Sequence, residues 1–144
     1  MASKLYGQFL SQALNKEIDW DTDTIKVALL TNAYTPNQDT HNYFDDVVAN
    51  EVTGTGYTAG GATLANKSNS YNSSTNVITL DADDVTWSSS TLTARYAVIY
   101  DASPATNATR PLVGYVDFGS DQSSSNGNFT ITWDATGIVR ITVA

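Results

Sequence analysis

Cysteine is absent from the 144 residues, and with it go thiol catalysis, cysteine-ligated zinc, iron–sulfur clusters and disulfide staples. Histidine occurs once, as His41, and no G-x-S-x-G elbow exists to present a serine to it, so a serine–histidine triad has no anchor in the chain. Basic residues are few. Seven Lys and Arg stand singly between Lys4 and Arg140 against fifteen Asp and Glu, for a formal charge of -8. That field repels phosphate backbones and argues against nucleic acid as a partner, unless Lys26, Arg95 and Arg140 are drawn into a local patch. Long apolar runs are missing too: no window approaches the roughly 18 apolar residues of a membrane span, and MASKLYGQFL lacks the apolar centre of a signal peptide. No membrane partner is expected, and the chain is expected to start at Met1.

What is present reads as a single domain over 1–144, long enough to bury roughly two-thirds of its unfolded surface without staples. Leu5, Tyr6, Phe9, Leu10, Ala13 and Leu14 recur at helical spacing and predict a helix over 3–16 with Ser3 as N-cap, its stripe facing either the core or another subunit. Gly7 weakens that helix by roughly 1 kcal/mol relative to Ala, so it depends on packing. An acidic turn ends it, and Ile25, Val27 and Leu29 alternating with Lys26, Ala28 and Leu30 predict a strand. Pro, Asn and Asp then punctuate a long loop, where Asp39 or Thr40 would cap a short helical turn near 40–48 carrying Tyr43, Phe44, Val47 and Val48. Gly54, Gly56, Gly60 and Gly61 mark a strand broken by bends, with 62–65 able to pair.

The second half predicts short strands at 77–80, 85–87, 92–100, 112–118, 129–133 and 138–143, separated by turn-rich loops. Regular spacing of this kind gives a mainly β fold, an antiparallel β-sandwich or barrel-like domain over 24–144 behind the N-terminal α-helix. TLTARYAVIY is expected to be a central strand with Leu92, Ala94, Tyr96, Val98 and Tyr100 on one face and Arg95, Ala97 and Ile99 on the other. FTITW and IVRITV, joined by Asp134-Ala135-Thr136-Gly137, are expected to form a hairpin, with Gly137 supplying the positive φ of its turn. The polar stretches NKSNSYNSSTN and GSDQSSSNGN are expected to be mobile hairpin ends.

Candidate chemistry is sparse. Asp19, Asp21 and Asp23 repeat the D-x-D-x-D opening of an EF-hand and are the candidate metal ligands, but Thr24 stands where that motif needs Gly and Leu30 where it needs a bidentate Glu. A solvated turn with capping carboxylates is the competing reading, and it applies equally to Asp81, Asp83 and Asp84. No cofactor is expected, since GTGYTAGG lacks the G-K-[ST] ending of a phosphate-binding loop. N-x-[ST] sequons at Asn66, Asn72, Asn107 and Asn128 follow from an Asn-, Ser- and Thr-rich composition. Trp20, Trp87, Trp133 and the eight tyrosines fill a β-core or form a sugar-stacking platform.

The order of the elements carries more than any one motif. A Y-x-x-F-L helix, then IDWDTDTIKVALL, YTPNQDTHNYFDDV, YAVIYDA, LVGYVDFG and a closing FTITWDATGIVRI resemble, over nearly the whole chain, a family of small proteins encoded by tailed bacteriophages. The resemblance implies a non-enzymatic virion structural protein, made in the bacterial host cytoplasm. Its partners would be other virion proteins, either the major capsid protein, as a decoration or cement protein on the outer shell, or tail, baseplate and fibre proteins, with contact to host glycans. Decoration is the preferred placement, with copies arranged as a homo-oligomer or symmetric array. Tyr6, Leu10, Tyr34, Tyr57 and Tyr71 are the candidate interface residues, because interfaces favour tyrosine and exposed apolar side chains.

Overall fold

The computed structural model describes residues 2–143; Met1 and Ala144, the ends of the expected domain, lie outside the described residues. The elements run β1 (Ala2–Leu5), α1 (Phe9–Leu14), β2 (Ile25–Leu30), β3 (Ala62–Thr63), β4 (Ser68–Asn72), β5 (Val77–Asp81), β6 (Val85–Asp101), β7 (Leu112–Ile131) and β8 (Val139–Thr142). One antiparallel sheet has the order β1-β7-β6-β2-β3, a second the order β4-β5-β8, and the two form a sandwich-like arrangement that does not close into a barrel.

The alternation in β2 decides where the cores lie. Ile25, Val27 and Leu29 point to a core shared by both sheets, with Trp20, Leu80, Val85, Trp87, Phe129 and Val139. Ala28 and Leu30 point the other way, to a second core with Tyr6, Tyr34, Phe44, Val98, Tyr100 and Leu112. Period-2 geometry with apolar residues on both faces therefore buries the strand on both sides. The second core is roofed by the segment after β2, where Phe44 stacks on Tyr100 at 3.9 Å between centroids.

The helix expected over 3–16 is shorter and starts later. Residues 2–5 extend along β7, pairing Ala2 with Asp117 and Leu5 with Gly114, and only Phe9–Leu14 is helical. Hydrogen bonds to a waiting strand outweigh a weak helix that contains Gly7. The apolar stripe is divided accordingly: Tyr6 and Phe9 are buried, whereas Leu10 and Leu14 are 45% and 84% exposed and Gln12 takes a buried place. The expected turn near 40–48 is a pair of 3₁₀ turns, Phe44–Asp46 and Val48–Asn50. Its cap is neither Asp39 nor Thr40, whose amides are taken by Asn37 Oδ1. Instead Asp46 reaches back to accept the amides of Asn42 at 2.7 Å and Tyr43 at 3.1 Å.

Four expected strands are two. Residues 85–87 and 92–100 are fused in β6, and 112–118 is fused in β7 with the part of 129–133 up to Ile131, so that GSDQSSSNGN is strand and not a hairpin end. Its hydroxyls pair across the ladder, Ser90 with Ser124 at 2.7 Å and Thr93 with Ser123 at 2.8 Å. NKSNSYNSSTN is a hairpin end only in part: Ser68–Asn72 is the strand β4 itself, and residues 73–76 make the turn to β5. β6 is central, as expected, between β7 and β2. Its faces are not continuous, because a register shift between Ala94 and Tyr96 sends Leu92 and Ala94 into the shared core and Val98 and Tyr100 into the other. The expected hairpin at 134–137 forms its turn, with Gly137 at φ 105° donating its amide to Asp134, but β8 leaves β7 and pairs with β5 in the other sheet. The turn is a corner between sheets.

Candidate functional site

Where the sandwich fails to close, a groove opens. Among the described residues, β1 has only β7 as a partner, along 114–117; beyond Asp117, β7 has only β6; and β8 has only β5. Between these strands lies a cleft of about 890 Å³, lined by β1, both halves of β7 and the segment from Trp133 to Arg140. Gly119, at φ 83°, sits between the two halves of β7 and lets the strand turn around the cleft. The floor is the flank of the shared core: Leu5, Val116, Phe118, Trp133 and Ile138 are each half-buried and packed against it.

The rim is basic on an acidic molecule. Lys4 and Arg140 line the cleft, and among the described residues neither has an ion-pair partner; the salt bridge among those residues, Arg95–Asp117 at 2.7 Å, lies off the lining. Asp134 is the carboxylate on the lining, and its Oδ1 accepts the amide and hydroxyl of Thr136 at 2.8 and 2.6 Å, bonds that hold it below the usual carboxylate range. Arg95 in turn holds Asp117 below that range. Of Lys26, Arg95 and Arg140, the residues from which a local basic patch could have been drawn, Arg95 is thus neutralised and Arg140 belongs to this cleft.

The acidic turn does other work. Asp19 Oδ1 accepts the amides of Asp21 and Thr22 at 3.1 and 3.2 Å, and hydrogen bonds from Thr22 hold its carboxyl below the usual range. Asp23 Oδ2 accepts the Asp19 amide at 2.7 Å, and Lys67 Nζ donates to the backbone carbonyls of Asp21 and Asp23. Among the described residues no group of three or more His, Cys, Asp or Glu is placed to hold a metal ion.

The interface candidates separate. Tyr6 and Tyr34 are buried to within 1% and 2% of full occlusion and cannot meet a partner in this fold. Their hydroxyls lie 2.8 Å apart, and Tyr34 Oη is 2.9 Å from His41 Nδ1. Burial raises both phenols, Tyr34 to about 12. This chain occupies the lone histidine in packing. Tyr57 is half-buried; its hydroxyl donates to Glu51 at 2.6 Å and accepts the Leu29 amide at 3.0 Å, tying the glycine-rich loop to β2. Leu10 and Tyr71 are exposed, the latter at 56%. Of the tryptophans, Trp20 and Trp87 are core residues. Trp133 lies on the groove with its Nε1 donating to Asp83 O at 3.0 Å.

Lys4 and the groove itself escaped sequence reasoning, because the helix expected over 3–16 leaves no strand edge at Lys4 and an opening between sheets has no local pattern. No family model, no curated protein and no solved structure matches the chain.

Proposed function

We propose that this chain is a non-enzymatic structural protein of a tailed-bacteriophage particle that decorates and stabilises the capsid exterior. The observation that carries this is the ordered run of segments resembling small phage proteins, from the N-terminal YGQFL to the closing FTITWDATGIVRI. The geometry supports an adhesive role: open strand edges around an apolar cleft, and the exposed Leu10 and Leu14 of α1, are features that protein contacts cover. Adhesion repeated by shell symmetry converts modest affinity per copy into firm binding. A tail, baseplate or fibre accessory role is favoured by one feature, the Phe118 and Trp133 side chains lining the groove, which offer ring faces to a host glycan.

The test is the number and position of copies in intact particles, by cryo-electron microscopy and quantitative peptide counting, with re-addition of purified protein to expanded capsids lacking it. Saturable rebinding and copies matching the shell lattice are expected. A handful of copies travelling with purified tails would replace decoration by the tail reading.

A further inference from the structure

We propose that the groove is a strand-acceptor site. Its occupant is an extended segment of a partner polypeptide with apolar side chains at alternate positions and carboxylates directed at Lys4 and Arg140.

Three features converge on that occupant. The first is the direction of the free backbone. Tyr6 N donates to Val113 O, which fixes the alternation along β1 so that Lys4 bonds toward β7 while the amides and carbonyls of Ser3 and Leu5 face outward. On β8, Val143 N donates to Asn76 O, which by the same alternation turns the backbone groups of Arg140 and Thr142 outward. Two strands bordering one cleft thus each present backbone donors and acceptors that are unpaired among the described residues, the element that an added strand recognises.

The second feature is the floor. Leu5, Phe118, Trp133 and Ile138 are apolar, half-buried and continuous with the shared core. An added strand would direct every other side chain onto them and the remainder to solvent. A sugar or small polar ligand would use the rings and leave the strand edges unsatisfied.

The third is charge. The molecule is -8 overall, yet the cleft carries two cations, Lys4 and Arg140, against one carboxylate, Asp134, which bonds first to Thr136 in its own turn and senses Arg140 only weakly. A two-fold pairing of this edge with the same edge of a second copy would bring these cations toward their equivalents, which disfavours self-association through the groove. A partner segment bearing carboxylates neutralises them. The same cleft would take such a segment wherever the chain is mounted, so the inference does not depend on the virion reading.

The experiment uses two synthetic peptides with one Thr-Val-Thr-Val-Thr core, one flanked at both ends by Glu and the other by Lys, titrated into the ¹⁵N-labelled full chain. The expected result is saturable binding of the Glu-flanked peptide, with hydrogen-exchange protection at the amides of Ser3, Leu5, Arg140 and Thr142 and at least tenfold weaker binding of the Lys-flanked one. N-methylation of alternate peptide residues should abolish binding. The double variant Lys4→Glu/Arg140→Glu changes two exposed positions, and with an unaltered melting temperature it should reverse the preference. The proposal fails if the Glu-flanked peptide shows no saturable binding up to millimolar concentration, or if both peptides bind alike. It fails equally if sedimentation shows the free chain dimerising with protection of the same amides, or if oligosaccharides protect the groove and peptides do not.

Discussion

Asp101 has no accessible surface, and its Oδ1 accepts the Ser103 amide at 2.8 Å while Oδ2 finds no donor. Burial first, and then the neighbouring Asp23 carboxyl, push it up to about 6. With no donor reaching Oδ2 and a second carboxyl close by, the charged form is disfavoured on both counts and the fold favours the neutral one. With the folded value above the ordinary one, full stability is available below about pH 4 and is lost as pH rises through 6. Asp101→Asn keeps an oxygen for Ser103 and removes the charge. It should raise the melting temperature by roughly 3–8 °C at pH 8, as relief of about 1–2 kcal/mol would in a domain of this length, and by little at pH 4. Thermal melts of both proteins from pH 4 to 8 measure the difference directly. A second buried polar chain makes a second prediction. Tyr34→Phe takes the middle hydroxyl from Tyr6–Tyr34–His41 and leaves Tyr6 Oη buried without a partner. The expected cost is about 1–3 kcal/mol in urea unfolding, whereas Tyr6→Phe, which leaves the Tyr34–His41 bond intact, should cost less. None of this was legible from sequence: Tyr6 and Tyr34 look like interface residues, and only the fold shows them facing each other.

At the scale of the element, legibility followed the range of the interaction that decides each one. β2 was readable because its own alternation carries the answer; β6 was readable as a central strand, but its faces were not, since the register shift between Ala94 and Tyr96 has no mark in the alternation. The N-terminus was not, since a local helical stripe at 3–16 competes with a partner strand, β7, that no local window contains. The polar stretch 119–128 was read as loop because Ser and Asn favour turns, but hydroxyl pairs such as Ser90–Ser124 let it persist as ladder. The turn at 134–137 was recognised and its partner was not: turn chemistry fixes a reversal, while Leu80 and Val77 of β5 decide which sheet receives β8. Glycine positions give the sharpest test at this scale. Gly61 has φ 77°, and a Cβ there would strike the Val27 carbonyl oxygen and come within 2.7 Å of Ala28 Cα. Gly61→Ala should therefore cost about 3 kcal/mol or more by separating β3 from β2, while Gly127→Ala, with Ser125 O at 3.6 Å as its nearest neighbour, should stay within about 0.5 kcal/mol. Chemical denaturation of the pair, read side by side, separates backbone strain from a general intolerance of the ladder.

Across the whole molecule, long-range pairing dominates. Leu5 meets Gly114, and Leu30 meets Tyr96, so neither the first strand nor the second is satisfied until most of the chain exists. Such a topology places refolding on the order of milliseconds to seconds, slower than a helical chain of this length. Because β1 adds to an edge that β6 and β7 must first create, Leu5→Ala should accelerate unfolding several-fold and leave the refolding rate nearly unchanged in stopped-flow measurements. The mainly β class follows from patterns in the sequence, which leave sandwich and barrel open; the division into two cores appears only in the fold. So does the open side, because it depends on β8 joining β5 and on β1 covering only the first part of β7. That open side also has an optical consequence. Trp20 and Trp87 are enclosed in the core, and Trp133 alone of the three indoles borders the cleft. Intrinsic emission therefore divides into a constant part from the interior and a part that senses water at one place. The protein carries its own fluorescent gauge of whether that cleft is filled, with no label attached.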